Sequence, residues 1–319
     1  EWYKNKSEDL LYSVPVPAQT GVSNTFVTMN AASMENSGFE FSATYRNRDH
    51  ALKYDISANV STLKNKVTSL GIGKNSYITG AYATYVGQEI GKFYGWVYEG
   101  IARTQDELDG HATQQGANVG DCLYKDISGP NGEPDGVIDA YDQTVLGSGL
   151  PKVNFGLSTH MEYKGFDLNI STYGVLNYHV SDDIYNSLNS CYGYGNKEVG
   201  MLDANRWSED GSTYLSSVPR TYAANNATLG WNDLFSSRKI QNAAYWKIAN
   251  VELGYNFPDK WFGGYVSGVR LYVSAQNLYT FTGYHGYNVD YAGGTFTPGY
   301  NFCSFPSART FMCGLHFTF

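Results

Sequence analysis

The sequence is short of charge, of cations and of long apolar runs. Only 16% of its 319 residues are charged, against about 25% in an ordinary globular chain. Low charge together with many aromatic rings excludes a disordered chain, which needs the opposite balance. No apolar run reaches the ~18 residues of a membrane helix, which excludes helical spans and leaves strands for any membrane role. The mean hydropathy of −0.37 agrees. With 22 Lys and Arg against 30 Asp and Glu, the net charge is −8 and the pI about 5.2. That balance speaks against nucleic acid as a partner, because phosphate contacts need clustered cations.

Catalytic signatures are missing too. The six His (His50, His111, His160, His179, His285 and His316) are scattered, and HExxH, GxSxG and a Walker motif are absent. Gly71-Ile72-Gly73 lacks a strand-to-helix setting. No enzyme is expected. Cys122, Cys191, Cys303 and Cys313 show neither CxxC nor zinc spacing, so two disulfides or none both remain open. The chain starts at Glu1 without an initiator Met or a signal-like segment, as a mature protein, a cleavage product or a fragment would.

What the chain does have is 35 Gly, 28 Tyr, 16 Phe and 6 Trp, arranged with a period of two. Val153, Phe155, Leu157, Thr159, Met161 and Tyr163 share one parity. Asn154, Gly156, Ser158, His160 and Glu162 share the other. After Lys164-Gly165, the segment Phe166–Tyr173 alternates again, which predicts a hairpin. A second hairpin is predicted from Gly38 to Lys66, turning at Asn47–His50, with Phe39, Phe41, Ala43 and Tyr45 on one side. A third joins Tyr245–Tyr255 to Arg270–Phe281, and a last strand carries Phe311, Cys313, Leu315, Phe317 and Phe319 on one face. Seven strands follow from this pattern, plus an eighth near Trp2–Tyr12.

Several of these segments exceed the ~5–6 residues usual in soluble strands. They suit the ~9–11 residues of a transmembrane β-strand, apolar outward and polar inward. The links between them are lopsided: short turns alternate with long connections over 67–152, 176–239 and 282–307. Short turns on one rim and long loops on the other mark outer-membrane barrels. The expected fold class is therefore all-β, an antiparallel transmembrane barrel wall spanning 1–319 with long extracellular loops. A secreted β-sandwich serving as an adhesin or glycan-binding module also alternates, though with shorter strands. A stand-alone small barrel is the other alternative, with a lumen filled by side chains.

Many segments, taken in order, resemble the C-terminal part of a SusC-type TonB-dependent outer-membrane transporter of Bacteroidetes. They include Glu35–Glu40, Gly87–Gly95, Gly120-Asp121, Val137–Asp139, Phe166–Leu168, Pro219-Arg220, Ser237–Ile240, Tyr245–Tyr255, Asn277–Tyr284 and the terminal Phe319. The resemblance implies a plugged barrel of 22 strands, of which this chain would be the last third, without the plug. It also implies an outer-membrane location among lipid, energy from TonB through the missing N-terminal part, and a SusD-like surface lipoprotein as lid. The implied cargo is an oligosaccharide or a peptide.

Three groups of residues stand out as sites. Asp135-Gly136-Val137-Ile138-Asp139 with Asp142 resembles the second half of an EF-hand calcium loop, with Asp126 and Ser128 as further oxygen donors. Pro130–Pro134 interrupt that pattern, and a loop held by Asx turns is the competing reading. In the long connections, Trp96, Tyr98, Trp207, Trp231 and Tyr284 are candidate contacts to substrate or lid, as are Tyr192, Tyr194 and Tyr287; they could equally pack the loops. Phe317 and Phe319, on an amphipathic last strand, resemble the signal read by the barrel assembly machinery.

Overall fold

A computed structural model describes residues 1–15, 26–71, 73, 75–190, 196–199, 206–208, 216–221, 230–261, 266–290, 293–302 and 304–318. Eight long strands form its main sheet: β1 (Trp2–Pro15), β2 (Phe26–Asn47), β3 (Leu52–Thr62), β4 (Val153–Tyr163), β5 (Phe166–Leu176), β6 (Tyr245–Phe257), β7 (Gly268–Thr282) and β8 (Thr310–Thr318). Their spatial order is their chain order, and every neighbouring pair is antiparallel. A short strand, Lys64–Ser69, continues beyond β3 and pairs with the first half of β2. The shortest of the eight has 9 residues and the longest 22. At about 3.3 Å per residue, each is long enough to cross a hydrocarbon layer obliquely.

The turns explain the register. Between β4 and β5 the chain reverses in two residues, Lys164 and Gly165, with φ of 47° and 87°. Positive φ at both positions is what a type I′ turn demands, and its twist matches that of the flanking strands. Tyr163 therefore pairs directly with Phe166, and the ladder runs unbroken to Val153 opposite Leu176.

Alternation then sorts the two faces. Phe41 is 67% exposed and Phe311 69%, whereas Asp167 is 5% and Lys247 4%. Leu52, Ile56, Val60, Leu157, Leu253, Leu271, Val273 and Leu315 lie on the exposed face with them. Such an apolar face is paradoxical in water, where a monomer rarely exposes so large a patch. It is the expected surface of a barrel wall in lipid, where the hydrocarbon covers it. Aromatic pairs mark both ends of this face. Near the short turns Phe166 meets Tyr255 at 4.7 Å, Tyr45 meets Tyr54 at 5.9 Å and Phe257 meets Trp261 at 5.8 Å. Toward the long connections Trp246 stacks on Phe281 at 5.3 Å, and Tyr279 meets Phe281 at 4.7 Å. Two aromatic girdles bounding an apolar band are the signature of a membrane-spanning barrel.

One irregularity keeps this sorting intact. The ladder shifts register at Ala249, between Ile248 and Asn250, against both neighbours. On the β7 side the shift falls at Asn277, which has a φ of 51°. The extra residue reverses parity along β6, so odd Lys247 and Tyr245 share the inner face with even Asn250 and Glu252. Simple period-two reading does not reveal that reversal.

β1 and β8 are the ends of the sheet and do not pair with one another. Leu253→Arg, near the middle of β6 on the outer face, is expected to lower stability in lipid vesicles by about 2–4 kcal/mol. Asn59→Lys, on the inner face, is expected to change it by about 0.5 kcal/mol or less. Denaturant titration of vesicle-inserted protein compares the two, and equal costs would contradict the assignment of faces.

Candidate functional site

The inner face of the sheet and the long connections above it form the candidate site. On the inner face, charged side chains bridge neighbouring strands. Arg270 of β7 donates through Nε to Asp167 Oδ2 of β5 at 3.0 Å, through Nη2 to Asp167 Oδ1, and through Nη2 to Glu252 Oε1 of β6 at 2.7 Å. Asn256 adds a donor to Asp167 Oδ2 at 2.9 Å. A bidentate guanidinium is suited to this task because its planar fork matches a carboxylate. On β4, His160 lies between Asn169 Oδ1 at 2.6 Å and Glu162 Oε1 at 2.9 Å. Farther up the wall, Lys247 Nζ donates to Asp290 Oδ2 at 2.6 Å, and the Tyr173 hydroxyl donates to Asp290 Oδ1 at 3.2 Å. That pair ties the third long connection to the wall.

The described residues of the long connections carry structure of their own. The first contains a four-stranded sheet ordered Thr144–Ser148, Lys92–Gly95, Tyr82–Tyr85, Ser76–Thr79, and a pair of strands, Tyr98–Ile101 with Cys122–Tyr124. Phe93 and Tyr82 of the first connection meet Phe235 of the second, at 6.2 and 6.4 Å, and Tyr82 meets Tyr300 of the third at 6.4 Å. One aromatic cluster thus draws all three together.

Two buried polar networks fix their relative positions. Asp121, 1% exposed, accepts from Arg220 Nε at 2.7 Å and Arg220 Nη2 at 2.9 Å, from Asn232 Nδ2 at 2.8 Å and from the Asn118 amide at 2.9 Å. Asn232 Oδ1 in turn accepts from the Cys122 amide at 2.7 Å. A buried carboxylate is tolerated only when its lone pairs are filled in this way. The second network centres on Asp182. Its Oδ2 accepts from the Tyr284 hydroxyl and from Asn301 Nδ2 at 2.9 Å, while Oδ1 accepts from the Tyr185 amide at 2.8 Å and so caps the helix Asp183–Leu188. Burial, and then the hydrogen bond to Asp182, push the Tyr284 phenol above its ordinary value of 10.0.

The residues singled out in the sequence fall as follows. Trp96, Tyr98 and Trp231 pack around buried Cys122, Tyr124 and Ile138. Trp96 Nε1 donates to the Asp139 carbonyl at 3.1 Å, and Trp231 Nε1 to the Gln115 carbonyl at 3.1 Å. Tyr284 is buried in the Asp182 network, and the Trp207 ring covers Gly120. Tyr98 also reaches a cavity wall, and Tyr287 is exposed. Tyr192 and Tyr194 lie outside the described residues.

The acidic loop is likewise turned inward on itself. Asp142 is fully buried and accepts from the amides of Ile127, Ser128 and Asp139 at 2.7, 3.1 and 2.8 Å. Asp139 Oδ1 accepts from the Tyr141 amide at 2.7 Å, Asp135 Oδ1 from Val137 at 3.0 Å and Asp126 Oδ2 from Gly136 at 2.7 Å. The Ser128 hydroxyl donates to the Gly129 carbonyl at 3.4 Å. Among the described residues no group of three or more His, Cys, Asp or Glu is placed to hold a metal. Asp126 Oδ1 is buried without a partner, and one such oxygen is far from the six to eight that calcium takes. Phe317 faces outward and is 48% exposed, and Phe319 lies outside the described residues.

With this geometry in place, comparison with known proteins gives a consistent answer. No family model matches the chain. It is 31% identical to TonB-dependent receptor P3 of Formosa agariphila, over 100% of this chain and 32% of that protein. It is 27% identical to TonB-dependent receptor SusC of Bacteroides thetaiotaomicron, over 99% of this chain and 29% of that protein. Along its whole length the chain is similar to TonB-dependent receptors, SusC among them. Among solved structures it superposes on the RagAB peptide transporter with a TM-score of 0.77 at 22% identity, over 98% of this chain and 32% of that one. The open-open state of the RagAB peptide importer gives 0.75 over 100% of this chain. The chain spans about a third of the length of the relatives it matches, and those relatives are receptors and transporters rather than enzymes.

Asp121→Ala strands the Arg220 guanidinium and the Asn232 amide, and breaking a buried pair costs about 3–5 kcal/mol. Limited proteolysis is expected to open the long connections of this variant while the eight strands stay protected. The Tyr284 contact has a pH sign. Because the folded phenol titrates above 10.0, its contribution is complete below that pH and is lost as pH rises through the folded value. Loop protection should therefore fall at alkaline pH, and less steeply in Tyr284→Phe.

Proposed function

We propose that this chain forms part of the barrel wall and outer loops of an outer-membrane importer. It would be TonB-dependent, take up oligosaccharide or peptide nutrients, and work with a SusD-like surface lipoprotein as lid. The observation that carries the reading is the apolar outer face bounded by two aromatic girdles, on a chain that matches TonB-dependent receptors from end to end. A secreted sandwich would leave that face in water. A stand-alone small barrel would need β1 to pair with β8, and they are the unpaired ends of the sheet.

The mechanism in this reading is conformational. Cargo is captured between lid and barrel, and a plug held by the rest of the protein then moves aside. The cross-braced long connections would serve as a stiff rim on which a lid seats, since Asp121, Asp182 and the Phe93 cluster leave them little freedom. The inner wall, where Asp167, Glu252, Arg270, His160 and Lys247 cluster, would line the passage.

A cell lacking the gene for the intact protein is expected to lose uptake of one class of labelled oligomer, sugar or peptide. Cells without TonB should show the same loss. Wild-type uptake of both classes in the mutant, or recovery of the protein in the soluble fraction, would contradict the reading. Replacing Phe317 and Phe319 by Ala is expected to cut the amount of folded protein in the outer membrane several-fold, measured on membrane fractions. An unchanged amount would remove their role in assembly.

A further inference from the structure

Where β3, β4, β5 and β6 run side by side, their inner face is hollowed into a trough of about 480 Å3, within the size range of ligand pockets. Asn59, Asn154, Ser158, Tyr173 and Tyr245 supply its polar groups, with Gly156 among them. Every described residue that lines it is uncharged.

Strand register sets these residues in rungs across the wall. Gly156 pairs with Asn59 on one side and with Tyr173 on the other, and Tyr173 pairs in turn with Lys247. Because Gly156 has no side chain, the Asn59 amide lies over it: a Cβ there would meet Asn59 Nδ2 at 2.9 Å. One floor thus runs from the amide across Gly156 to the Tyr173 ring. That ring is 37% exposed and meets Tyr245 edge-on at 6.0 Å. The next rung toward the short turns reads Ser57, Ser158, Ser171, Asn250 and Gln276 across five strands. Charge returns one rung farther on, with Asp55, His160 and Glu252. Beside the trough, Lys247 is engaged by Asp290, which also accepts from the Tyr173 hydroxyl. Among the described residues no hydrogen bond engages the side chain of Asn59, Asn154 or Ser158, and all three are exposed.

We propose that this trough is a contact site for an uncharged oligosaccharide on its way along the wall. A sugar hydroxyl both donates and accepts, and side-chain amides and hydroxyls answer it in both directions. Neighbouring strands lie about 4.8 Å apart, so the rungs present such groups at close and regular spacing. The Tyr173 ring adds an apolar face for the C–H side of a sugar ring. A short peptide brings a terminal ammonium and a terminal carboxylate, both ionised at neutral pH. A uronate sugar brings a carboxylate on each unit. The residues described along the trough offer these charges no counter-charge, and a charge that loses water without a partner is penalised. This proposal rests on the import reading and narrows its cargo to neutral sugar.

The test is equilibrium binding to the intact receptor in detergent. The probes are neutral tetrasaccharides of glucose, galactose, mannose and fructose, a galacturonate tetrasaccharide, and tetraalanine. At least one neutral tetrasaccharide is expected to bind about tenfold more tightly than both the galacturonate and the peptide. Replacing Asn59 and Ser158 together by Ala is expected to weaken that probe about tenfold, the loss of two neutral hydrogen bonds. Both positions are exposed, so thermal stability should be unchanged. Gly156→Val, which fills the floor with a residue suited to a strand, should weaken the probe by a similar factor. No binding of any neutral tetrasaccharide would overturn the proposal. So would galacturonate or tetraalanine binding as tightly as the best neutral probe, or undiminished affinity in the folded double variant. Because binding in detergent needs neither TonB nor a membrane potential, failure here leaves the import reading to its own uptake test.

Discussion

Everything in this molecule follows from one sheet facing two media. Its outer face is apolar and its inner face carries Asp, Arg, Glu, His and Lys. In hydrocarbon no backbone N–H or C=O can be left to water, so each spanning strand must be paired along its length. The unbroken ladders of β3, β4 and β5 meet that demand. The same demand explains the strand lengths, which exceed what a soluble sandwich uses. It also explains why the shift at Ala249 and Asn277 matters. Without the extra residue Lys247 would fall on the lipid face with Val251 and Leu253; with it, Trp246 faces lipid and Lys247 reaches Asp290.

Above the wall, stability has a different origin. Side chains from distant connections meet in small clusters. Phe93 and Tyr82 supply buried aromatic area, and Asp121 and Asp182 supply polar anchors whose partners are 99 and 102 residues away in sequence. Anchors of this kind define one arrangement among many, because any other leaves a buried carboxylate without partners. The connections can then be long while their described residues keep one arrangement. Wall and loops meet at Lys247 and Tyr173, where Asp290 accepts from both.

The sequence made the strands legible because alternation is a local signal. Val153–Tyr163 and Phe166–Tyr173 could be placed with their faces and as hairpin partners, and the strand ending near Phe317 with its face. The Lys164-Gly165 turn could be placed from its residues alone. The reversal along β6 could not, since one inserted residue leaves Tyr245–Tyr255 looking like a run of mixed polarity. The loop networks were illegible for a different reason. Asp121 and Arg220 each stood in segments resembling SusC-type receptors, but nothing local says that they touch. The acidic stretch from Asp126 to Asp142 was ambiguous because the same Asp and Gly residues serve calcium ligation and Asx turns. Only the three-dimensional hydrogen bonds show Asp142 spent on three backbone amides. Trp96, Trp231 and Tyr284 had the same ambiguity, and their rings are packed among loop residues.

The central claim is that the apolar face carrying Leu253, Leu271 and Leu315 lies in lipid and the opposite face in water. Site-directed fluorophores test it most directly. Labels at Leu253, Leu271 and Leu315 are predicted to be quenched by brominated lipid and shielded from an aqueous quencher. Labels at Asn59, Ser158 and Gln276 are predicted to behave in the opposite way. Equal aqueous quenching at all six positions would contradict the account.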